Sequence, residues 1–190
     1  MIPLPRSFYR RRTLTVAREL LGKVLVRKVG KQILAGRIVE TEAYFGADPA
    51  SHSYRGLTPR CKPMFEEAGH AYVYFVYGNH YCFNVVTEQV GRAGAVLIRA
   101  LEPISGIPLM ERNRKTKEKH SLTNGPGKLC AALKIDQQFN RADLTKGNLL
   151  IIDGAQKKFR IVRTTRIGIR EAKERLYRFY IKNNEFVSRK

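Results

Sequence analysis

Residues 71 to 87, AYVYFVYGNHYCFNVVT, set the tightest limit on the fold. Two runs rich in β-branched and aromatic residues, Ala71–Tyr77 and Tyr81–Thr87, stand either side of Gly78-Asn79. Such side chains suit a pleated, half-buried surface, and a Gly-Asn pair suits a tight reversal. The stretch therefore predicts an antiparallel hairpin, and an all-helical fold is excluded. Lys23–Val29 and Ile33–Tyr44 read as a second strand pair around Gly30-Lys31. Val96–Leu101 reads as a strand ended by Pro103, and Asn148–Ile152, Phe159–Thr164 and Leu176–Lys182 as three short strands.

Helices are fewer. In Thr13–Leu21 the residues Leu14, Ala17, Leu20 and Leu21 fall on one face, and Gly22 follows where a helix end calls for glycine. Pro126–Leu133 reads as a helix with Pro126 in its first turn. Phe45–Glu67 is a long loop rich in Gly, Pro, Ser, Thr and Arg, of a length that often carries function. Arg112–His120 is a charged connector suited to solvent or to phosphate, with solvent the default. Strands come first, then short helices, then more strands, without the regular alternation of a parallel sheet. The expected fold class is α+β: a single mixed α/β domain over residues 1–190 around a mostly antiparallel sheet, with a basic arm at residues 1–12.

The charge points to a partner. The chain carries 36 Lys and Arg against 16 Asp and Glu, a formal net charge of +20. Self-repulsion at that charge disfavours compactness unless an anion relieves it, and nucleic acid is the leading candidate ahead of an anionic membrane surface. Cys61, Cys82 and Cys130 are odd in number, widely spaced and without zinc-ligand spacing, so they read as reduced thiols. No apolar run approaches the length of a membrane span, and the N-terminus lacks the pattern of a secretory leader. The expected location is cytoplasmic or nucleoid-associated in a bacterium, nuclear in a eukaryote, and not secreted.

Three segments hold candidate chemistry. In GRIVETEAY, strand alternation puts Glu40, Glu42 and Tyr44 on one face. Two acids at that spacing are either a partnered site or a solvent-facing stripe, and spacing leaves the two equal. Paired acids together with Asp48 also suit a Mg²⁺-dependent nuclease. HSYRGLTPR places His52 near two arginines in a Gly/Pro loop that suits phosphate, although an idle loop histidine fits as well. The hairpin holds four of the nine tyrosines. Strand packing accounts for Phe75 and Phe83 but not for Tyr77, because a turn tip is seldom buried; an aromatic there suits a wedge between base pairs. Tyr44 and Tyr74 offer flat faces to a base. Arg99, within an apolar strand, needs a partner such as Glu42 or phosphate if it is buried.

VETEAY, the His52 loop, TPR, YVYFVYG, Asn84, IRALEP and NGPGKLC occur in this order. In that order they resemble the alkyladenine (3-methyladenine) DNA glycosylase family, from about Leu14 to near the C-terminus. The resemblance implies a curved antiparallel sheet with a protruding hairpin. It implies a monofunctional glycosylase of base excision repair acting on duplex DNA, without metal or other cofactor, and a monomer. The expected substrates are damaged purines of the 3-methyladenine, 7-methylguanine, hypoxanthine or ethenoadenine type, flipped from the stack. Glu42 matches the general base, and His52 and Arg99 match residues that hold the water or the adjoining sugar-phosphate. Tyr44, His52 and Tyr74 match the walls around the base, Asn84 the side chain that crowds guanine's 2-amino group, and Tyr77 the intercalating residue. Arg60, Lys128 and the hairpin-tip residues Asn79 and His80 match backbone contacts. The tip is more polar than is usual in the family, which bears on substrate breadth. The competing reading is a nucleic-acid-binding module without catalysis.

Overall fold

The computed structural model describes residues 1–154 and 158–189. Eight strands form one sheet among these residues: β1 (Val24–Val29), β2 (Gln32–Phe45), β3 (Ala71–Val76), β4 (His80–Val86), β5 (Gly94–Ser105), β6 (Leu149–Ile152), β7 (Ile161–Thr164) and β8 (Arg178–Ile181). The main path runs β3-β4-β5-β2-β1-β6, with β8 pairing both β2 and β7, and the pairings between strands are antiparallel. The sheet curls into a half-barrel. The predicted α+β class, the antiparallel sheet and the protruding hairpin are all present.

Strand β2 organises the molecule. Its first half pairs with β1 from Gln32 to Arg37, and its second half pairs along the same edge with β8 at Glu40–Glu42. β5 follows the other edge for most of its length. Three irregularities interrupt that ladder, one near its end at Ala35/Gly36 and two close together beside Glu40. Ile38 faces Leu101 and Glu40 faces Ala100, which leaves Val39 extra on β2. Thr41 then faces Ile98, which leaves Arg99 extra on β5. Bulges of this kind re-aim side chains and favour the neighbourhood of active sites.

The helices are α1 (Arg6–Tyr9), α2 (Thr13–Glu19), α3 (Ile107–Arg114) and α4 (Pro126–Leu133). α2 packs against β2 and α4 against β4 and β5, while α3 packs on α4. α4 has the predicted limits, with Pro126 in its first turn and Leu129, Cys130, Ala132 and Leu133 buried. α2 stops where Gly22, at φ +83°, takes a left-handed conformation that glycine adopts without strain. The basic arm is docked: Leu4 donates its amide to Ile151, and Tyr9 is fully buried.

The structure corrects several expectations. Pro103 does not end its strand. The Leu101 amide already points away from β2, to the Thr123 carbonyl, so Pro103 two residues on removes no ladder donor. The first three residues of the charged connector are the end of α3, whose one buried residue, Met110, leaves almost no apolar period to read. Lys62–Phe65 forms a 3-10 turn inside the long loop. The hairpin reverses at Tyr77-Gly78 rather than Gly78-Asn79: both residues have positive φ, +53° and +69°. Consecutive left-handed residues match the right-handed twist of the flanking strands. All three cysteines are buried and unpaired.

Candidate active site

Burial decides between the two readings of the acidic stripe. Glu40 and Glu42 are both 0% exposed, so neither lies on a solvent face. On the opposite face of β2, Thr41 donates to the Ala17 carbonyl of α2 at 2.8 Å and Ala43 is in the core. Bulged Arg99 spans the pair: its Nε lies 3.2 Å from Glu40 Oε1 and its Nη1 3.3 Å from Glu42 Oε2. Burial works against the guanidinium's charge, but Glu42 and Glu40 more than offset this, and its pKa rises. A buried arginine with two carboxylates satisfies the rule that interior charges are paired.

The two acids differ in what surrounds them. Glu40 accepts four hydrogen bonds, from Arg99, from Arg178 Nε at 2.7 Å, and from the Ser188 amide and hydroxyl at 2.7 and 2.9 Å. Three of these fall on Oε1 and the Ser188 amide alone on Oε2. Glu42 accepts three. Tyr44 Oη donates to Oε2 at 2.7 Å, Arg99 Nη1 to the same oxygen, and the Ile167 amide to Oε1 at 2.8 Å. One acceptor site on Glu42 is left open.

Glu42 does not itself line the cavity beside it, but its donors Tyr44, Arg99 and Ile167 do: the cavity, of about 490 Å³, is also lined by His52, Tyr72, Tyr74 and Asn84 and by the segment Ile167–Glu171. Cavities of this size suit small molecules and nucleobases. His52 sits at its rim with its ring 4.7 Å from that of Tyr74, and its Nδ1 3.0 Å from the Tyr72 hydroxyl. Partial burial, and then the positive charge of Arg60, hold the His52 pKa down to about 4. The imidazole is therefore neutral at physiological pH. Burial pushes Tyr72 up to about 12 and raises Tyr74 further still, so both phenols stay protonated. Tyr44 is raised by burial first and by the Glu42 carboxylate second. Asn84 is buried and donates to the Tyr72 carbonyl across the β3–β4 ladder at 3.0 Å, which fixes its amide against the cavity.

The hairpin projects beside the cavity. Tyr77 also lines it and is 82% exposed, so the side chain at the tip has almost no packing of its own. Its positive φ is unfavourable for a bulky residue, and strain of this kind collects at functional sites. Asn79 and His80 are exposed, and His80 rests on the start of α4: a Cβ at Gly127 would fall 2.8 Å from its ring. Lys128, one residue on, donates to Asn124 at 2.8 Å. Arg60 is exposed, with its guanidinium carbon 5.3 Å from the centre of the Tyr74 ring.

The fold thus gathers Glu42, Arg99, His52, Tyr44, Tyr74, Asn84 and Tyr77 around one cavity. Asn79 and His80 stand at the hairpin tip, Lys128 lies on α4 next to Gly127 on which His80 rests, and Arg60 stands outside the cavity against Tyr74. Sequence reasoning missed Arg166 and Ile167, Arg178 and Ser188, and the hydrogen-bonding part played by Tyr72. The first four lie more than 120 residues from Glu42 in a stretch with no periodic pattern, so only the tertiary fold brings them in. Tyr72 was legible as the face-mate of Tyr74 but not as the partner of His52. Asp48 pairs with Arg166 and Arg175, and Glu40 with Arg99 and Arg178. The acids that suited a metal nuclease are thus addressed by guanidiniums, and no group of three or more His, Cys, Asp or Glu among the described residues is arranged to hold a metal. No helix among them is long and apolar enough to cross a membrane.

Comparison with known proteins extends the match over the whole chain. A protein of Carboxydothermus hydrogenoformans, named as a 3-methyladenine DNA glycosylase, is 53% identical over 189 residues, covering 98% of this chain and 99% of its own. Similarly named proteins of Desulfitobacterium hafniense and Methanoculleus marisnigri are 50% and 49% identical over 97% and 98% of this chain. The profile of methylpurine-DNA glycosylases matches residues 7–185. With that span matched, and with relatives sharing half of its residues end to end, the chain belongs to the methylpurine-DNA glycosylase family, whose members are hydrolases of N-glycosyl bonds.

Proposed function

We propose that this glycosylase flips a damaged purine out of duplex DNA into the aromatic cavity and hydrolyses its N-glycosidic bond with a water activated by Glu42. The observation that carries the reading is a fully buried Glu42 with one acceptor site unfilled, whose three donors, Tyr44, Arg99 and Ile167, all line a base-sized aromatic cavity. A water at that site gives its proton to Glu42 as its oxygen bonds to the sugar carbon. The electron pair of the glycosidic bond leaves with the purine, and the product is an abasic site. Positive charge develops on the sugar, and the carboxylate beside it stabilises that charge.

The remaining residues divide the work of flipping and holding. Extrusion costs a few kcal/mol and is cheapest for a damaged or mispaired base. Tyr77, free of packing, fills the gap and offsets part of that cost. The Tyr44 and Tyr74 rings, with His52, stack on the purine, each base–aromatic contact worth roughly 1–3 kcal/mol. Asn84, pinned to the Tyr72 carbonyl, crowds a 2-amino group and so disfavours guanine. His52 is neutral, and a proton donated by Tyr72 to Nδ1 leaves Nε2–H to donate to a sugar or phosphate oxygen. Arg60, Lys128, Asn79 and His80 meet the DNA backbone. Among the described residues that line the cavity there is no lysine to form a Schiff base with the sugar, which supports a hydrolase without a lyase step.

The test is a panel of duplexes, each with one damaged purine, incubated with the protein in excess EDTA and then treated with alkali. The reading predicts strand cleavage at the lesion only after alkali, undiminished by the chelator. Uncut DNA across the panel, or cleavage that needs metal, contradicts it.

A further inference from the structure

Two walls of the cavity lie outside the sheet: the segment that follows β2 and carries His52, and the segment Ile167–Glu171. One buried ion pair joins them. The Arg166 and Asp48 side chains are both 0% exposed and meet in two contacts, Nη1 on Oδ2 and Nη2 on Oδ1, the latter at 2.8 Å. Asp48 stands at the turn that begins the His52 segment, where its carbonyl accepts the Ser51 amide at 2.8 Å. Arg166 immediately precedes Ile167, whose amide donates to Glu42. The same guanidinium donates to the Ala43 carbonyl of β2 at 2.9 Å and lies between two rings, 4.7 Å from the centre of Tyr44 and 5.2 Å from that of Tyr177. It therefore touches the element carrying Glu42, the back of one stacking wall and the anchor of the other segment.

We infer that Arg166, through Asp48, is a positioning residue for the glycosylase reaction: it sets the separation of the two walls and aims the Ile167 amide at Glu42. This rests on the reading of Glu42 as the base. The planar fork is essential to the role, because it reaches Asp48 twice and Ala43 once while keeping its carbon within stacking range of two rings. Lysine keeps the charge but has neither the fork nor the plane. Arg166 does not itself line the cavity, so its loss acts through placement of Ile167, Tyr44 and His52 and not through contact with the base.

The experiment compares Arg166→Lys, Asp48→Asn and Glu42→Gln with the parent enzyme. The measurements are single-turnover base release, affinity for a duplex bearing an abasic site, and thermal midpoint. For Arg166→Lys the expected result is a fall of about 10- to 100-fold in the single-turnover rate, the loss typical of misplacement near 1 Å. DNA affinity and thermal midpoint stay close to the parent's. Asp48→Asn keeps one acceptor oxygen but leaves the buried Arg166 charge uncompensated, so it should lower the rate together with the thermal midpoint, and it is assayed below that midpoint as the second variant if the lysine variant does not fold. A parent-like rate in a folded variant, or losses of rate and DNA affinity in equal proportion, overturns the inference. An inert Glu42→Gln beside a fully active Arg166→Lys removes the positioning role alone, whereas an active Glu42→Gln removes the reading on which it rests.

Discussion

His52 shows how a single residue's surroundings select its chemistry. The folded protein holds its pKa at about 4, through partial burial first and Arg60 second. An unperturbed histidine titrates at about 6.5. Between these values the unfolded chain binds a proton that the folded chain does not, so stability falls as pH drops through that window and is fully retained above it. Two consequences follow for His52→Gln. The urea midpoint should depend less on pH between about 4 and 6.5 than in the parent protein. The pH–rate profile should lose no limb near 6.5, because the parent's His52 is already neutral there. A limb near that pH that disappears in the variant would show a protonated, catalytically engaged imidazole instead.

At the scale of elements, the hairpin of β3 and β4 joins strain to exposure. Tyr77 holds a positive φ while burying almost none of its ring. Replacing it with glycine relieves the strain at the cost of added freedom in the unfolded chain, and nothing buried is lost. Thermal stability of Tyr77→Gly should therefore stay within about 0.5 kcal/mol of the parent. Base release from duplex DNA should fall well below that from single-stranded DNA, where no gap needs filling. Equal losses on the two substrates would remove the wedge role. The strands of this hairpin were legible because β-branched and aromatic residues run to both ends. Its turn was misplaced by one residue, because the Gly78-Asn79 pair advertises a reversal more strongly than a tyrosine does. α3 was illegible for the opposite reason, since one buried methionine makes no period.

At the scale of the whole molecule, the charges sort by depth. The surface carries the excess positive charge, as a DNA-binding enzyme requires. Beneath it, Glu40, Glu42 and Asp48 are paired with Arg99, Arg178 and Arg166. Both halves of that arrangement draw on residues distant in sequence, which sets the limit on what the chain alone reveals. The VETEAY and YVYFVYG segments are local, and they disclosed one wall of the site together with Glu42. The other wall and the filled shell around Glu40 depend on β8 and the C-terminal segment folding back onto β2, which no local pattern records. The distinction between these two carboxylates, one held by four donors that come mostly from β8 and the C-terminal segment and one held by three donors that all line the cavity, exists only in the folded protein.

That distinction is the centre of the account, and one measurement addresses it most directly. Duplex DNA methylated at its purines is incubated with the parent protein and with Glu42→Gln, and the free methylpurines are quantified while DNA binding and thermal midpoint are monitored. The parent should release methylated purines and leave the strands intact until alkali. Glu42→Gln should stay folded and bind DNA but release base about 10²- to 10⁴-fold more slowly, the range attributed to a positioned general base. Release by folded Glu42→Gln at the parent's rate would contradict the account.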